Sequence, residues 1–376
     1  MDTNAFTFSP QQLQAIDAVH NWLAAGAAKK PYFRLFGYAG TGKTTLVRHL
    51  AAGVRGEVVF AAYTGKAALM MQKSGCEGAV TIHKLIYRVE QLPGGGSRFV
   101  LNPRSAASRA SLIVIDECSM VDSEMAGDLM SFGTPILVLG DPAQLPPVNR
   151  SGYFVSDDPD ALLTEIHRQA RGSGIIALSM AIREGKSPLG KTYDDVTVIQ
   201  SDDDFEEAMM AADQVLAGTN KMVSTLNKDI RAMKGFSGDI PNVGERLISC
   251  MNDPDNELLN GEQLEVVGIG TMNEDSTTCT LTVKSLDVVD GDEFEVEVLI
   301  SGLEDGPTSS EQLWCRDNLV AALRFAYAIT VHKAQGSQWP NVLVVNESRT
   351  FRDTQAKWLY TAVTRASDRV TVYPGL

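Results

Sequence analysis

The sequence predicts an α/β protein with two parallel-sheet domains and a small antiparallel barrel inserted in the second. Three observations carry that expectation. Short apolar runs alternate with helix-length segments in both halves, a phosphate-loop pattern follows the first such run, and the stretch between the halves alternates β-branched with acidic residues. Buried strands separated by helices indicate βαβ units and a parallel sheet. A period of two indicates strands with one wet face. At 376 residues the chain is too long for one ordinary core.

The elements follow in order. "SPQQLQAIDAVHNWLAAG" predicts a helix with Ser9 as N-cap, Pro10 in its first turn, Gly26 past its end, and Leu13, Ile16, Val19 and Leu23 on one apolar face. "YFRLFG", "GEVVFAAYTG", "SLIVIDE" and "TPILVLGD" read as strands of a first domain, residues 1–165. Inside it, "YRVEQLPGGGSRFVL" predicts a hairpin within about 86–106, from Tyr87 to Leu92 and back through Arg98 to Leu101. "QVLAGTN", "NVLVVN" and "RVTVY" supply a second domain, residues 166–244 and 316–376. "LEVVGI", "CTLTVKSL" and "EFEVEVLI" form the inserted barrel, residues 245–315.

Composition narrows the classes. A net charge of −14 argues at first against a polyanionic partner. The charge is local, however: residues 245–311 hold seventeen acidic side chains against two basic ones, while 84–109 hold five basic and one acidic. The start of the chain lacks a basic stretch followed by an apolar one, and no apolar run is long enough to span a bilayer, so the expected location is cytoplasmic. The five cysteines, at 76, 118, 250, 279 and 315, have no metal-ligand spacing and an odd total, which points to reduced, buried thiols.

Chemistry enters with "GYAGTGKT", residues 37–44, between a strand and a helix. Backbone N–H groups of such a loop bind phosphate oxygens, which makes Gly37, Gly40, Thr41, Gly42, Lys43, Thr44 and Thr45 the candidate ATP site. Lys43 reaches the terminal phosphates and the Thr44 hydroxyl holds Mg²⁺. "SLIVIDE" then delivers Asp116 to the Mg²⁺ shell and Glu117 as base toward the attacking water. In "GDPAQLPPV" the adjacent prolines Pro146 and Pro147 restrict a loop whose Gln144 amide senses the γ-phosphate.

Taken together, the motifs resemble the superfamily 1B DNA helicases of the RecD and Dda type, over nearly the whole chain. "FSPQQLQAI" is similar to that family's adenine-reading motif, which puts Gln12 on the base. "AAYTGKAALMM" and "TIHKLI" resemble its single-strand motifs, with Thr64, Lys66, Thr81 and His83 on DNA. "LTEIHRQ" and "LYTAVTRASDR" resemble the motifs that contribute arginines, here Arg168 and Arg365, from the far side of the cleft. "AYAITVHKAQGSQW" resembles the motif that places Thr330, His332 and Lys333 on the DNA backbone, with Gln335 and Gly336 toward nucleotide. The resemblance also gives Asn220 to DNA, and Phe99 on the hairpin as a pin that stacks at the fork.

The resemblance implies two RecA-like P-loop domains with an SH3-like barrel, and a monomer that uses ATP and Mg²⁺. Its activity is translocation 5′ to 3′ on single-stranded DNA and unwinding of duplex at a fork. The start at the adenine motif and the end after "RVTVYPGL" make the compact Dda-like helicases the closer likeness, without the accessory N-terminal domain of RecD-type relatives. The acidic barrel suits replication or recombination proteins better than phosphates. Two alternatives stay open: a helicase-like subunit of an exodeoxyribonuclease complex, and a phosphotransferase using the same loop. "IIALSMAIREGK" reads as a helix, where a metal nuclease would need strand-borne carboxylates.

Overall fold

Where the sequence places unbroken apolar runs, the chain forms parallel sheet. A computed structural model describes residues 8–26, 30–92, 96–146, 152–155, 158–166, 172–186, 193–199, 201–288 and 291–374. Its first sheet has the strand order Val80–Thr81, Val58–Ala62, Leu112–Asp116, Ile136–Gly140, Tyr32–Gly37, Ala161–Leu163, all parallel. Leu112–Ile115 and Ile136–Leu139 are wholly buried, as strands covered on both faces must be. The second sheet, also parallel, runs Ala328–Thr330, Gln214–Ala217, Trp339–Val345, Ala366–Tyr373, Val196–Val198. Parallel strands end on one side, so each sheet gathers its chemistry along its C-terminal edge.

The first helix, Pro10–Ala25, has the expected Ser9 cap, and Gln12 completes a capping box. Its buried face keeps the expected Ile16 and Val19 but is rotated away from Leu13. Gln12, Ala15, Ile16, Val19 and Trp22 turn inward, while Leu13 is 50% exposed. Trp22 decides the rotation: its indole stacks toward Phe33 and donates to the Lys30 carbonyl at 2.9 Å.

The acidic segment forms a five-stranded antiparallel sheet in the order Glu293–Leu299, Thr278–Ser285, Gln263–Met272, Arg246–Ser249, Leu323–Phe325. The last strand lies beyond the expected boundary at residue 315, because the segment that re-enters the second sheet first pairs with Arg246–Ser249. Just before it, the Ala321 N–H donates to the Glu297 carbonyl at 2.7 Å and brings the sheet's outer strands together. The insert is entered and left through one buried junction. Arg231, on the Asn220–Met233 helix, grips the wholly buried Glu245 with Nε to Oε1 at 2.8 Å and Nη2 to Oε2 at 3.0 Å. Its guanidinium lies 3.8 Å from the Phe325 ring centre, and Tyr327 donates to Glu245 Oε1 at 3.3 Å.

A two-stranded hairpin, Tyr87–Gln91 with Ser97–Leu101, leaves the first lobe in the expected register, Tyr87 opposite Leu101. Among the described residues no helix is long and apolar enough to cross a membrane.

Candidate nucleotide cleft and strand path

The strand Tyr32–Gly37 ends in the phosphate loop, and the helix Lys43–Gly53 begins directly after it. Gly42 needs its left-handed φ of +77° and its missing Cβ, since a Cβ there would lie 2.9 Å from Gln12 Nε2. The Lys43 ammonium lies across the loop mouth, donating to the Gly37 carbonyl at 2.5 Å and the Tyr38 carbonyl at 3.2 Å. Thr41 braces the loop from within: its Oγ1 donates to the Tyr38 carbonyl at 2.8 Å. Gln12, expected on the base, has both amide atoms engaged elsewhere. Its Nε2 donates to the Thr41 carbonyl at 3.0 Å and its Oε1 accepts from the Ser9 N–H at 3.0 Å, so it ties the first helix to the phosphate loop.

Across the cleft, Leu112–Asp116 ends in the two carboxylates. Asp116 Oδ1 accepts the Glu117 N–H at 2.8 Å, and Glu117 turns into the left-handed region at φ 52°. Desolvation, with repulsion from Glu117, pushes the Asp116 carboxyl up to about 6, against the opposing pull of Lys43 and Arg365. A carboxylate and a threonine hydroxyl lining one cleft make an oxygen-only donor set that fits a hard divalent cation. Gln144, held by the Asp141 turn, is buried with its Oε1 unpartnered at the cleft wall. Pro146 follows it, and Pro147 lies outside the described residues.

The cleft encloses about 510 Å³ and takes its lining from both lobes: Gly40, Gly42, Lys43, Thr44, Thr45, Asp116, Glu117 and Gln144 from the first, Gly336, Gln338, Thr364 and Arg365 from the second. Arg365 is 3% exposed and fixed by the Thr361 carbonyl at 3.1 Å, the Ser337 carbonyl at 3.3 Å and Thr364 Oγ1 at 3.3 Å. Its Nη1 stands 3.9 Å from Glu117 Oε1. Arg168 lies outside the described residues. Gln335 does not face the cleft; its Nε2 crosses to the Leu145 carbonyl at 2.6 Å and joins the lobes instead. Sequence reasoning passed over Tyr360, whose hydroxyl crosses the same interface to Ala39 and Asp141. The available signal was its position one helical turn before Arg365.

Among the DNA candidates, His83, Lys66 and Lys333 meet the insert. His83 packs with Phe99 and Tyr87 at ring-centre distances of 5.5 and 5.4 Å, and Asn252 Nδ2 lies 3.4 Å from its Nε2. Asn252 Oδ1 in turn accepts the Asn260 N–H at 2.9 Å, and Asn260 Oδ1 accepts from Lys333 Nζ at 3.3 Å. A polar chain thus runs from first lobe through insert to second lobe. Lys66 lies 3.9 Å from the Trp339 ring centre, and burial lowers it to about 8 despite Asp287 nearby. Burial likewise pushes Asp287 up to about 7, with Lys66 opposing. Thr64, Thr81 and Thr330 cap turns through their hydroxyls, accepting from Ala67, Lys84 and Lys333 N–H. Asn220 takes Arg324 Nη1 at 3.1 Å, and the His332 ring turns onto Phe351 at 5.4 Å.

Family comparison fits this geometry. Residues 7–204 match the AAA domain family and residues 325–373 the UvrD-like helicase C-terminal domain. The chain is 27% identical over 363 residues to the ATP-dependent RecD2 DNA helicase of Deinococcus radiodurans, covering 89% of this chain and 46% of that protein. The chain belongs to the AAA domain family, and its curated relatives are helicases of the RecD and Dda type. A second relative, the ATP-dependent DNA helicase Dda of Enterobacteria phage T4, is 27% identical over 238 residues, 54% of this chain and 52% of that one. The chain therefore spans about half the length of these relatives. In structure, the chain is similar to Pif1 helicases solved for DNA unwinding at forked double-stranded DNA. That match has a TM-score of 0.56 at 19% identity, covers 98% of this chain and 92% of that one, and shows the fold: a parallel-sheet RecA-like core.

Proposed function

We propose that the protein is an ATP- and Mg²⁺-dependent translocase that moves 5′ to 3′ on single-stranded DNA and separates duplex at a fork. One observation carries the reading: the phosphate loop and the Asp116–Glu117 pair belong to one lobe, while the arginine entering their cleft belongs to the other. Hydrolysis in such a site is linked to lobe movement, because triphosphate favours closure and diphosphate lets the lobes part. Phosphate-loop N–H groups and Lys43 bind the triphosphate. Glu117 takes the proton of the attacking water, Gln144 orients that water or the γ-phosphate, and Arg365 offsets the developing charge. Thr44 and Asp116 would hold Mg²⁺, which supplies charge neutralisation at the phosphates when bound.

DNA lies across the lobes beneath the insert, which we read as an SH3-like barrel, with Thr64, Lys66, Thr81, His83, Thr330, His332 and Lys333 along the path. The hairpin acts as the pin, and the working unit is a monomer. Support comes from the polar chain between His83 and Lys333, which brackets a path shared by both lobes. The helix Gly174–Arg183, where a nuclease would need strand-borne carboxylates, weighs against a nuclease site. The test is steady-state ATP hydrolysis with and without single-stranded DNA, beside Lys43→Ala. Stimulation by DNA, abolished in Lys43→Ala, is expected; a rate indifferent to DNA would favour the phosphotransferase.

A further inference from the structure

Tyr360 belongs to the second lobe, on the helix Gln355–Val363, yet its hydroxyl sits between two groups of the first. It accepts from the Ala39 N–H at 2.9 Å and donates to Asp141 Oδ2 at 2.7 Å. Ala39 is part of the phosphate loop. Asp141 is 5% exposed, and its other oxygen accepts the Ala143 N–H at 3.0 Å, which shapes the turn presenting Gln144. The neighbouring Thr361 continues the pattern. Its Oγ1 accepts the Leu145 N–H at 2.9 Å, and its carbonyl accepts from Arg365 Nε at 3.1 Å. One turn of helix therefore touches the phosphate loop, the Gln144 loop and the arginine. Burial and the Asp141 charge raise the Tyr360 phenol well above its ordinary value, so it stays a donor at neutral pH.

The geometry points to Tyr360 as a positioning residue of the ATP cleft, whose hydroxyl sets the register of the helix leading into Arg365 against the phosphate loop and the Gln144 turn. This inference rests on the cleft being an ATPase site. The aromatic ring fills the interface core, 1% exposed, so its packing and its hydroxyl must be tested separately. Tyr360→Phe keeps the ring and leaves a half-buried N–H and a buried carboxylate oxygen without their partner. Losing a hydrogen bond to a charged group corresponds to about a 10- to 100-fold effect. If the bond matters only for alignment in the transition state, that loss appears in kcat and leaves the KM for ATP nearly constant.

Two readouts on the full chain decide the matter. Amide hydrogen exchange at Ala39 should quicken about tenfold or more in Tyr360→Phe, and kcat with single-stranded DNA should fall about 10- to 100-fold with KM within about twofold. Asp141→Asn, which removes the charge on the other side of the hydroxyl, should lower kcat as well, and the double variant should be no slower than the slower single one. Unchanged exchange at Ala39, kcat within twofold of the unaltered protein, or fully additive losses would each overturn the assignment. An unaltered protein without DNA-stimulated hydrolysis would overturn the function reading instead, while exchange at Ala39 still decides the role of the hydroxyl. Should Tyr360→Phe fold poorly, Asp141→Asn carries the same two readouts.

Discussion

Residue by residue, the proposed site separates groups that would touch phosphate from groups that hold them in place. Lys43 and Arg365 belong to the first kind, Gln12 and Gln335 to the second. The difference is testable. Arg365→Ala should lower kcat for ATP hydrolysis by about a thousandfold, the magnitude of a missing arginine finger, with a much smaller change in nucleotide affinity. Equal losses in kcat and affinity, read from steady-state rates and nucleotide titration, would show that Arg365 acts in ground-state binding. The sequence made Lys43, Asp116 and Glu117 legible because a phosphate loop and a strand-final carboxylate pair are local patterns. The partners of Gln12 and Gln335 were not legible for the opposite reason: an amide's partner depends on which backbone reaches it, and the Thr41 and Leu145 carbonyls arrive by tertiary folding.

Among the elements, the hairpin shows how a legible element can hold an illegible site. Its strands and register follow from alternation around a glycine-rich turn, yet Phe99 pairs with Val89 in mid-strand and packs on His83, away from the turn. Phe99→Ala should therefore weaken single-strand affinity by about tenfold, on the scale of one lost base stack, and lower the base pairs opened per ATP while hydrolysis itself persists. An unwinding yield per ATP equal to that of the unaltered protein would dismiss the pin. The first helix teaches a related lesson. Its period was plain and Ile16 and Val19 lie on the buried face as expected, but the face turns toward Trp22 rather than Leu13, and small Ala15 and polar Gln12 carried little signal of that turn. The strand Leu323–Phe325 escaped because three residues leading straight into another strand show no boundary of their own.

In the whole molecule, charge that looked unsuited to DNA is spent partly within the protein. Asp287, on the insert, faces Gly65 and Lys66 of the first lobe, where a Gly65 Cβ would stand 3.0 Å from the Asp287 Cβ. A carboxyl whose folded value is raised contributes stability that is complete below the unfolded value and lost as pH climbs through the folded one. With Asp287 pushed up from 3.8 to about 7, that loss spans about pH 4 to 7. Asp287→Asn should accordingly gain stability relative to the unaltered protein as pH rises from 5 to 7, measured as the difference of thermal midpoints. A constant difference over that range would show that Asp287 ionises as readily as a free carboxyl. At the junction of insert and second lobe, Glu245→Ala should lower unfolding free energy by about 3–5 kcal/mol, since it strands the buried Arg231. A denaturant titration showing less than about 1 kcal/mol would place that pair in solvent.

Arg231 and Glu245 have a mechanical meaning as well. Entry and exit of the insert are fastened to the second lobe at a dry junction that the buried Gln263–Gln214 bond reinforces, so the antiparallel sheet has no swivel of its own there. Whatever turns that lobe must carry the sheet with it as a stiff arm. The asparagines that bridge His83 and Lys333 ride on that arm, so in the proposed cycle each stroke over ATP would also lift or lower the roof above the proposed strand path.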